Sequence, residues 1–249
     1  MIHQEADVLV LCGGKGLRLR PMVGRHPKPL ALVDGRPLLD RILYHWHGFG
    51  FRRFVLCVGY RAAVFRRHYE NQRCPFTVIF SEEPKPLGTG GALRHAQSLI
   101  RSKDFFVLNG DTYFNLDPGD LMAFHRAKKA AVSLALSPLQ DKDDCGNVSV
   151  NKSGRITEYA EKSGTAQGRF VNAGVYVFGR KALDLLPRAE KFSLEEDFFP
   201  TMTTGAMGTS GTSQRLFGWV AQNKFWDIGT PQRYMLAARQ IQAMEKGSA

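Results

Sequence analysis

Two rhythms of polarity alternate along the first half of the chain. Short apolar runs occur at residues 8–11, 54–58, 76–80 and 105–108, unbroken except for Thr77 in the third. A run with no polar alternation suits a strand buried on both faces, as in a parallel sheet. Between these runs, apolar residues recur every three or four positions. The helical rhythm is plainest over residues 36–47, where Leu38, Leu39, Ile42, Leu43 and Trp46 share a face, and Gly48 and Gly50 are expected to end the helix. Residues 62–69 and 91–100 are predicted as further helices. Strand then helix, repeated with short connections, predicts an α/β fold: a mainly parallel central sheet with helices on both faces and right-handed crossovers.

The second half reads differently. Residues 132–136, 146–150, 156–159 and 170–178 are predicted strands, some alternating, with a turn at Lys152-Ser153-Gly154. They suggest a mixed or antiparallel extension of the sheet. Residues 203–212, rich in Gly, Thr and Ser, are expected to form a surface loop. Pro231 is placed to open a last helix running to Met244. No internal repeat or linker is evident, so one domain over residues 1–249 is expected.

Composition narrows the class. Apolar residues are 43% and charged residues 23% of the 249, ordinary for a soluble globular protein. No apolar stretch of about eighteen residues occurs, so no membrane span is expected. Residues 1–7 carry two acids and no apolar core of a secretory signal, so a cytoplasmic setting is expected. Cys12, Cys57, Cys74 and Cys145 form no C-x-x-C pair. They are read as reduced thiols, Cys12 and Cys57 as small core residues.

The net charge of +11 suits a polyanionic partner. No nucleic-acid-binding motif or basic tail is present, which favours phosphorylated metabolites over nucleic acid. One cluster of cations (Lys15, Arg18, Arg20, Arg25, Lys28) sits in a Gly/Pro-rich segment. Other charges, such as Arg52, Arg53, Arg66 and Arg67, are read as solvated surface.

The segment Leu11-Cys12-Gly13-Gly14-Lys15-Gly16-Leu17-Arg18-Leu19-Arg20-Pro21 directly follows the first predicted strand. Glycines admit close backbone approach to phosphate oxygens, and successive N–H groups form an anion nest. The spacing is neither that of a Walker loop nor G-x-G-x-x-G. Arg18 can grip phosphate with a fork, and Lys28 is a point charge stiffened between Pro27 and Pro29. On such sheets ligands bind beyond the carboxyl ends of the strands. The loop and Asn109-Gly110-Asp111-Thr112 should therefore share one rim.

G-G-x-G-x-R-L-x-P followed by P-K-P resembles the signature of the sugar-phosphate nucleotidylyltransferases, and the resemblance covers nearly the whole chain. It implies a Rossmann-like nucleotidyltransferase fold without a C-terminal β-helix. Residues 1–130 would be mainly the nucleotide-binding half and 131–249 mainly the sugar-phosphate half. Activity would join a nucleoside triphosphate to a sugar 1-phosphate, releasing pyrophosphate. By the same resemblance Arg18 and Lys28 are the catalytic cations. Leu11, Gly13, Gly14, Gly16, Glu82, Glu83, Gly88, Thr89 and Gly110 hold the nucleotide, and Asp111 and Asp227 bind Mg²⁺. Gly146, Glu161, Lys162, Asn172 and Gly174 hold the sugar phosphate. Leu17 stands where the family usually has Thr, and Cys145 where it often has Tyr.

Glu82 and Glu83 suggest guanine, since a carboxylate can accept both its N1–H and its N2 amine. The motifs P-L-G-T-G-G-A (86–92), N-G-D-T (109–112), K-F-S-L-E-E (191–196) and D-I-G-T-P (227–231) are nearest to members that use GTP and D-glycero-D-manno-heptose 1-phosphate. Mannose 1-phosphate with GTP and N-acetylmuramate 1-phosphate with UTP stay open, as does assembly into a homo-oligomer.

Overall fold

The computed structural model describes residues 6–138, 147–160, 168–204, 215–223 and 225–247. In chain order its elements are β1 (Val8–Leu11), α1 (Arg20–Val23), β2 (Leu32–Val33), β3 (Arg36–Pro37), α2 (Leu38–Gly48), β4 (Arg53–Val58), α3 (Ala62–Glu70), β5 (Thr77–Glu82) and α4 (Gly88–His95). Next come β6 (Asp104–Asn109), β7 (Thr112–Phe114), α5 (Pro118–Ala127), β8 (Val132–Pro138), β9 (Asn147–Val150), β10 (Ile156–Ala160) and β11 (Phe170–Gly179). The chain closes with α6 (Phe199–Thr204), β12 (Leu216–Val220), β13 (Phe225–Asp227) and α7 (Pro231–Gly247).

Among the described residues, nine strands form one sheet in the order β10-β9-β11-β6-β1-β4-β5, with β8 on β11 and β12 on β8. The first-half strands β6, β1, β4 and β5 run parallel. β11 lies antiparallel on β6, and the second-half strands extend the sheet from there. The unbroken runs of β1, β4 and β6 follow from burial on both faces, whereas the run at 76–80 falls on the edge strand β5, which is largely half-buried. In β1, Val8 and Val10 enter one core with α2 and α3, while Leu9 enters the other with Ala92, Leu93 and Ala96 beside α4. Each such fully buried side chain contributes about 1.5–3 kcal/mol.

Three predicted elements shift. The helix expected over residues 36–47 begins at Leu38, because Asp34 (φ 49°) and Gly35 (φ 74°) make a two-residue turn that pairs β2 with β3. Asp-Gly is the favoured chemistry for that turn. The helix expected at 91–100 starts at Gly88 and yields to a 3₁₀ turn at Gln97–Leu99. Thr203 and Thr204 finish α6 rather than opening a loop, and residues 205–212 of that predicted loop fall outside the described residues. The turn after β9 is as expected: Asn151 Oδ1 accepts from the N–H groups of Ser153 and Arg155, each at 3.0 Å.

Arg53 departs from its surface reading. It pairs with buried Asp7 and donates to the Leu99 carbonyl at 2.8 Å, tying the start of β4 to the sheet floor. Cys12 and Cys57 are buried free thiols, and burial pushes both well above the ordinary thiol range. Cys74 is a free, half-buried thiol, and Cys145 lies outside the described residues. No helix among the described residues is long and apolar enough to cross a membrane.

Candidate active site

From β1 the chain winds outward to β4 and β5, and then returns to place β6 on the other side of β1. Loops leaving β1 and β6 therefore part from each other at their carboxyl ends, and a crevice opens between them. A cavity of about 1080 Å³ occupies it, lined by Leu11, Gly13, Gly14, Gly16 and Arg18 from the first loop.

Two glycines earn their places by close approach. A Cβ on Gly13 would lie 2.1 Å from Glu83 Oε1. Gly16 has φ 56°, and a Cβ there would come within 2.8 Å of Lys28 Cβ. Gly14 faces open space. Gly110 lines no cavity wall. Its N–H bonds the Leu11 carbonyl at 3.0 Å, and a Cβ would meet Cys12 Sγ at 2.7 Å, so it allows the two loops to pack. Leu17, in the unusual position, is 58% exposed and lines the cavity.

Lys28 sits in a 3₁₀ turn, Lys28–Leu30, between its two prolines. Its Nζ pairs with the Asp111 carboxylate, both groups partly shielded from water. Asp227 reaches the same place from the far end of the chain. β13 pairs antiparallel with β7, setting Asp227 opposite Thr112, and Ile228 N donates to the Asp111 carbonyl at 3.1 Å. Asp227 Oδ1 accepts from Gly229 N at 2.7 Å, and Arg233 lies 3.3 Å from its other oxygen. Two carboxylates on adjoining backbone suit Mg²⁺, a hard cation that takes few protein ligands and shares phosphate oxygens. Among the described residues no third acid, His or Cys joins them.

The two adjacent glutamates part company. Glu82 ends β5 exposed, bonded to Arg66 at 3.0 Å. Glu83 turns into the cavity, where Leu87 N donates to Oε2 at 3.0 Å. Burial raises the Glu83 pKa above the ordinary carboxylate value, an effect partly offset by that N–H and by His95.

Gly88 and Thr89 line the cavity at the start of α4. The N–H groups of Gly90 and Gly91 bond the Phe192 carbonyl at 3.0 and 3.2 Å, so these two helix-start donors are directed at protein. Thr89 Oγ1 donates to Glu195 Oε2, and Glu195 Oε1 accepts from Tyr176 OH at 3.0 Å. Asn172 Nδ2 donates to Tyr176 OH at 2.9 Å and to Tyr159 OH at 3.0 Å, and its Oδ1 accepts from Gly174 N at 3.0 Å. Both N–H groups of the Asn172 amide are thus committed to tyrosines, and Asn172 organises the strand beside the cavity. Gly174 (φ 69°) lets β11 pass close to Asn109, which does line it.

Glu195, Tyr176 and Tyr159 were not among the sequence candidates. K-F-S-L-E-E was the available signal for Glu195, and the tyrosines carried none. Lys15, Tyr60, Lys85 and Lys191 also line the cavity. Gly146, Glu161 and Lys162 lie outside the described residues.

Comparison with known proteins matches residues 7–244 to the family model described as nucleotidyl transferase. The chain is 30% identical over 236 residues to D-glycero-alpha-D-manno-heptose 1-phosphate guanylyltransferase of Aneurinibacillus thermoaerophilus, covering 95% of this chain and 98% of that protein. It is also 30% identical to mannose-1-phosphate guanylyltransferase of Mycobacterium tuberculosis, covering 94% of this chain but 64% of that protein. The crystal structure of HddC from Yersinia pseudotuberculosis superposes with a TM-score of 0.79 at 29% identity, covering 95% of this chain and 99% of that one. HddC is also known complexed with GMP-PN, at the same similarity.

Proposed function

Since the chain belongs to the nucleotidyl transferase family, we propose that it joins GTP to D-glycero-α-D-manno-heptose 1-phosphate, making a GDP-sugar and pyrophosphate. The observation that carries this reading is the meeting, in one cavity, of the glycine loop, the Lys28–Asp111 pair and the inward-turned Glu83. The guanine donors N1–H and N2–H₂ match a carboxylate held in place by Leu87 N. The two guanylyltransferase relatives support the base, and the coverage of nearly the whole heptose-phosphate enzyme supports the sugar.

In the reaction an ionised oxygen of the sugar phosphate attacks the α-phosphorus in line. The bond from that phosphorus to the bridging oxygen breaks, and pyrophosphate leaves with the electron pair. No general base is required, because the nucleophile is already ionised. Catalysis then rests on positioning and on fixed charge. In this reading Arg18 stabilises the leaving pyrophosphate and Lys28 the α-phosphate, and Lys162, which the family resemblance suggests for the attacking phosphate, lies outside the described residues. Asp111 and Asp227 are the residues that would hold Mg²⁺, which would supply positive charge to the reacting phosphates when bound.

Pyrophosphate release with Mg²⁺, four nucleoside triphosphates and a panel of sugar 1-phosphates tests the reading. Turnover confined to GTP and the manno-heptose phosphate is the expected result. A preference for UTP or for mannose 1-phosphate overturns the base or the sugar respectively, and no turnover with any pair overturns the reaction.

A further inference from the structure

At the opposite rim of the sheet, where β6 begins rather than ends, lies a larger cleft of about 1500 Å³. Asp104 starts β6 there and Asn109 ends it in the catalytic cavity, so the two sites stand about 17 Å apart along that strand. Four separate chain segments bring cations to this cleft. Arg101 and Lys103 precede β6, Arg126 and Lys129 end α5, Arg180 and Lys181 follow β11, and Arg215 precedes β12. The two carboxylates facing them are Asp104, already bonded to Arg126 at 3.1 Å, and exposed Asp184.

Ordinary surfaces intersperse the two signs of charge. Complementing a helix C-terminus accounts for Arg126 and Lys129, but not for the loop cations of the other three segments. Some of these groups are held in place. Arg180 Nη1 donates to the Arg101 carbonyl at 3.0 Å and Arg126 Nε to Asp104 at 3.1 Å, and both residues line the cleft. The floor is His125, 2% exposed and bonded to Ser133 Oγ at 3.0 Å. Its pKa is pushed down by burial, with the charges of Arg126 and Arg215 acting in the same direction.

We propose that this cleft is a second anion site, separate from the phosphate loop, taking a small molecule with two or more phosphate groups and no aromatic base. Concavity favours a small ligand over a flat membrane. No large apolar side chain exposed among the described residues belongs to the cleft, so it offers no membrane anchor. Among the described residues no Phe, Tyr or Trp lines it, so none of them stacks a base, as single-stranded nucleic acid requires.

Calorimetric titration of inorganic pyrophosphate into the full chain, without Mg²⁺ and at about 0.1 M salt, tests the proposal. Two saturable sites are expected. Arg18→Ala should weaken one, the catalytic cavity's, at least tenfold. The pair Lys103→Glu with Lys181→Glu should weaken the other at least tenfold and leave pyrophosphate release during turnover unchanged. If that pair does not fold, Lys129→Gln with Lys181→Gln replaces it and should give the same loss of the second site to a smaller degree. A single site removed by Arg18→Ala alone overturns the proposal, as does non-saturating uptake. Cleft-dependent binding of polyuridylate or of phosphatidylglycerol vesicles without binding of pyrophosphate also overturns it.

Discussion

The hydroxyl of Thr89 donates to Oε2 of Glu195 across 2.6 Å, joining residues 106 positions apart. Glu195 passes the connection to Tyr176, fully buried, and Tyr176 passes it to Asn172. The segment that opens α4 beside the cavity is thereby coupled to β11, which carries the proposed sugar turn at Asn172 and Gly174. Glu195→Gln should raise KM for the sugar phosphate more than for GTP. A double-mutant cycle with Thr89→Val should give a coupling of about 1 kcal/mol or more in kcat/KM. Strict additivity would show that the two residues act independently.

Lys28→Ala is expected to lower the rate of pyrophosphate release by about 10²–10³-fold, the usual loss for one preorganised stabilising group. Asp111→Asn should remove the restoration of activity by Mg²⁺ after chelation. Near-normal turnover of Lys28→Ala refutes its assignment to the α-phosphate.

Glu83 carries a raised pKa, and the sign of its effect follows. As pH rises from the ordinary carboxylate value to the raised one, the unfolded chain loses its proton before the folded chain does. Stability declines across that interval and levels above it. Guanine recognition runs the other way, because it needs the carboxylate, so KM for GTP should rise as pH falls through the raised value. Glu83→Gln should flatten both trends and raise KM for GTP about 10- to 100-fold. An unchanged KM would place the base elsewhere.

His125 is held neutral, its pKa pushed down to about 4 from the ordinary 6.5. Its contribution is fully present above pH 6.5 and is lost as the unfolded chain takes up a proton between 6.5 and about 4. The loss is on the order of 3 kcal/mol. Urea unfolding of His125→Asn should lack this acid limb, and a limb that persists would assign it to another group.

Gly88 has φ 76°, and a Cβ there would lie 2.4 Å from the Phe192 carbonyl oxygen. Gly88→Ala should therefore cost roughly 3 kcal/mol in stability. At Gly90 the obstacle is the Phe192 ring, 2.1 Å away. Phe192→Ala should partly rescue Gly90→Ala but not Gly88→Ala, by thermal melting. Equal rescue of both would contradict the backbone clash.

The parts legible in the sequence were those whose signal is local. The run Val8-Leu9-Val10-Leu11 and the glycines after it announce a buried strand and a cavity-lining loop without help from elsewhere. The Asp34-Gly35 hairpin had a local signal too, but the helical spacing of Leu38 to Trp46 overrode it by two residues. Which of Glu82 and Glu83 faces the ligand depends on register. β4 decides it, through the bond from Glu83 N to the Val58 carbonyl at 2.8 Å. Asn172 was read as a sugar contact because its motif is local, whereas the tyrosines that engage its amide are brought by β10 and β11. The cationic cleft escaped notice for a related reason. Its charges are spread over four segments, and each pair looks like solvated surface until the sheet gathers them.

The pairing of β13 with β7 has a consequence for synthesis. A nascent chain that has emerged through Asp111 already holds the glycine loop, Lys28 and Glu83, yet Asp227 is still to be translated. Domains form as their sequence leaves the ribosome, and here the proposed metal pair is completed only by β13, the last strand of the described residues. Partial products released early would carry a nucleotide cradle with half its acids.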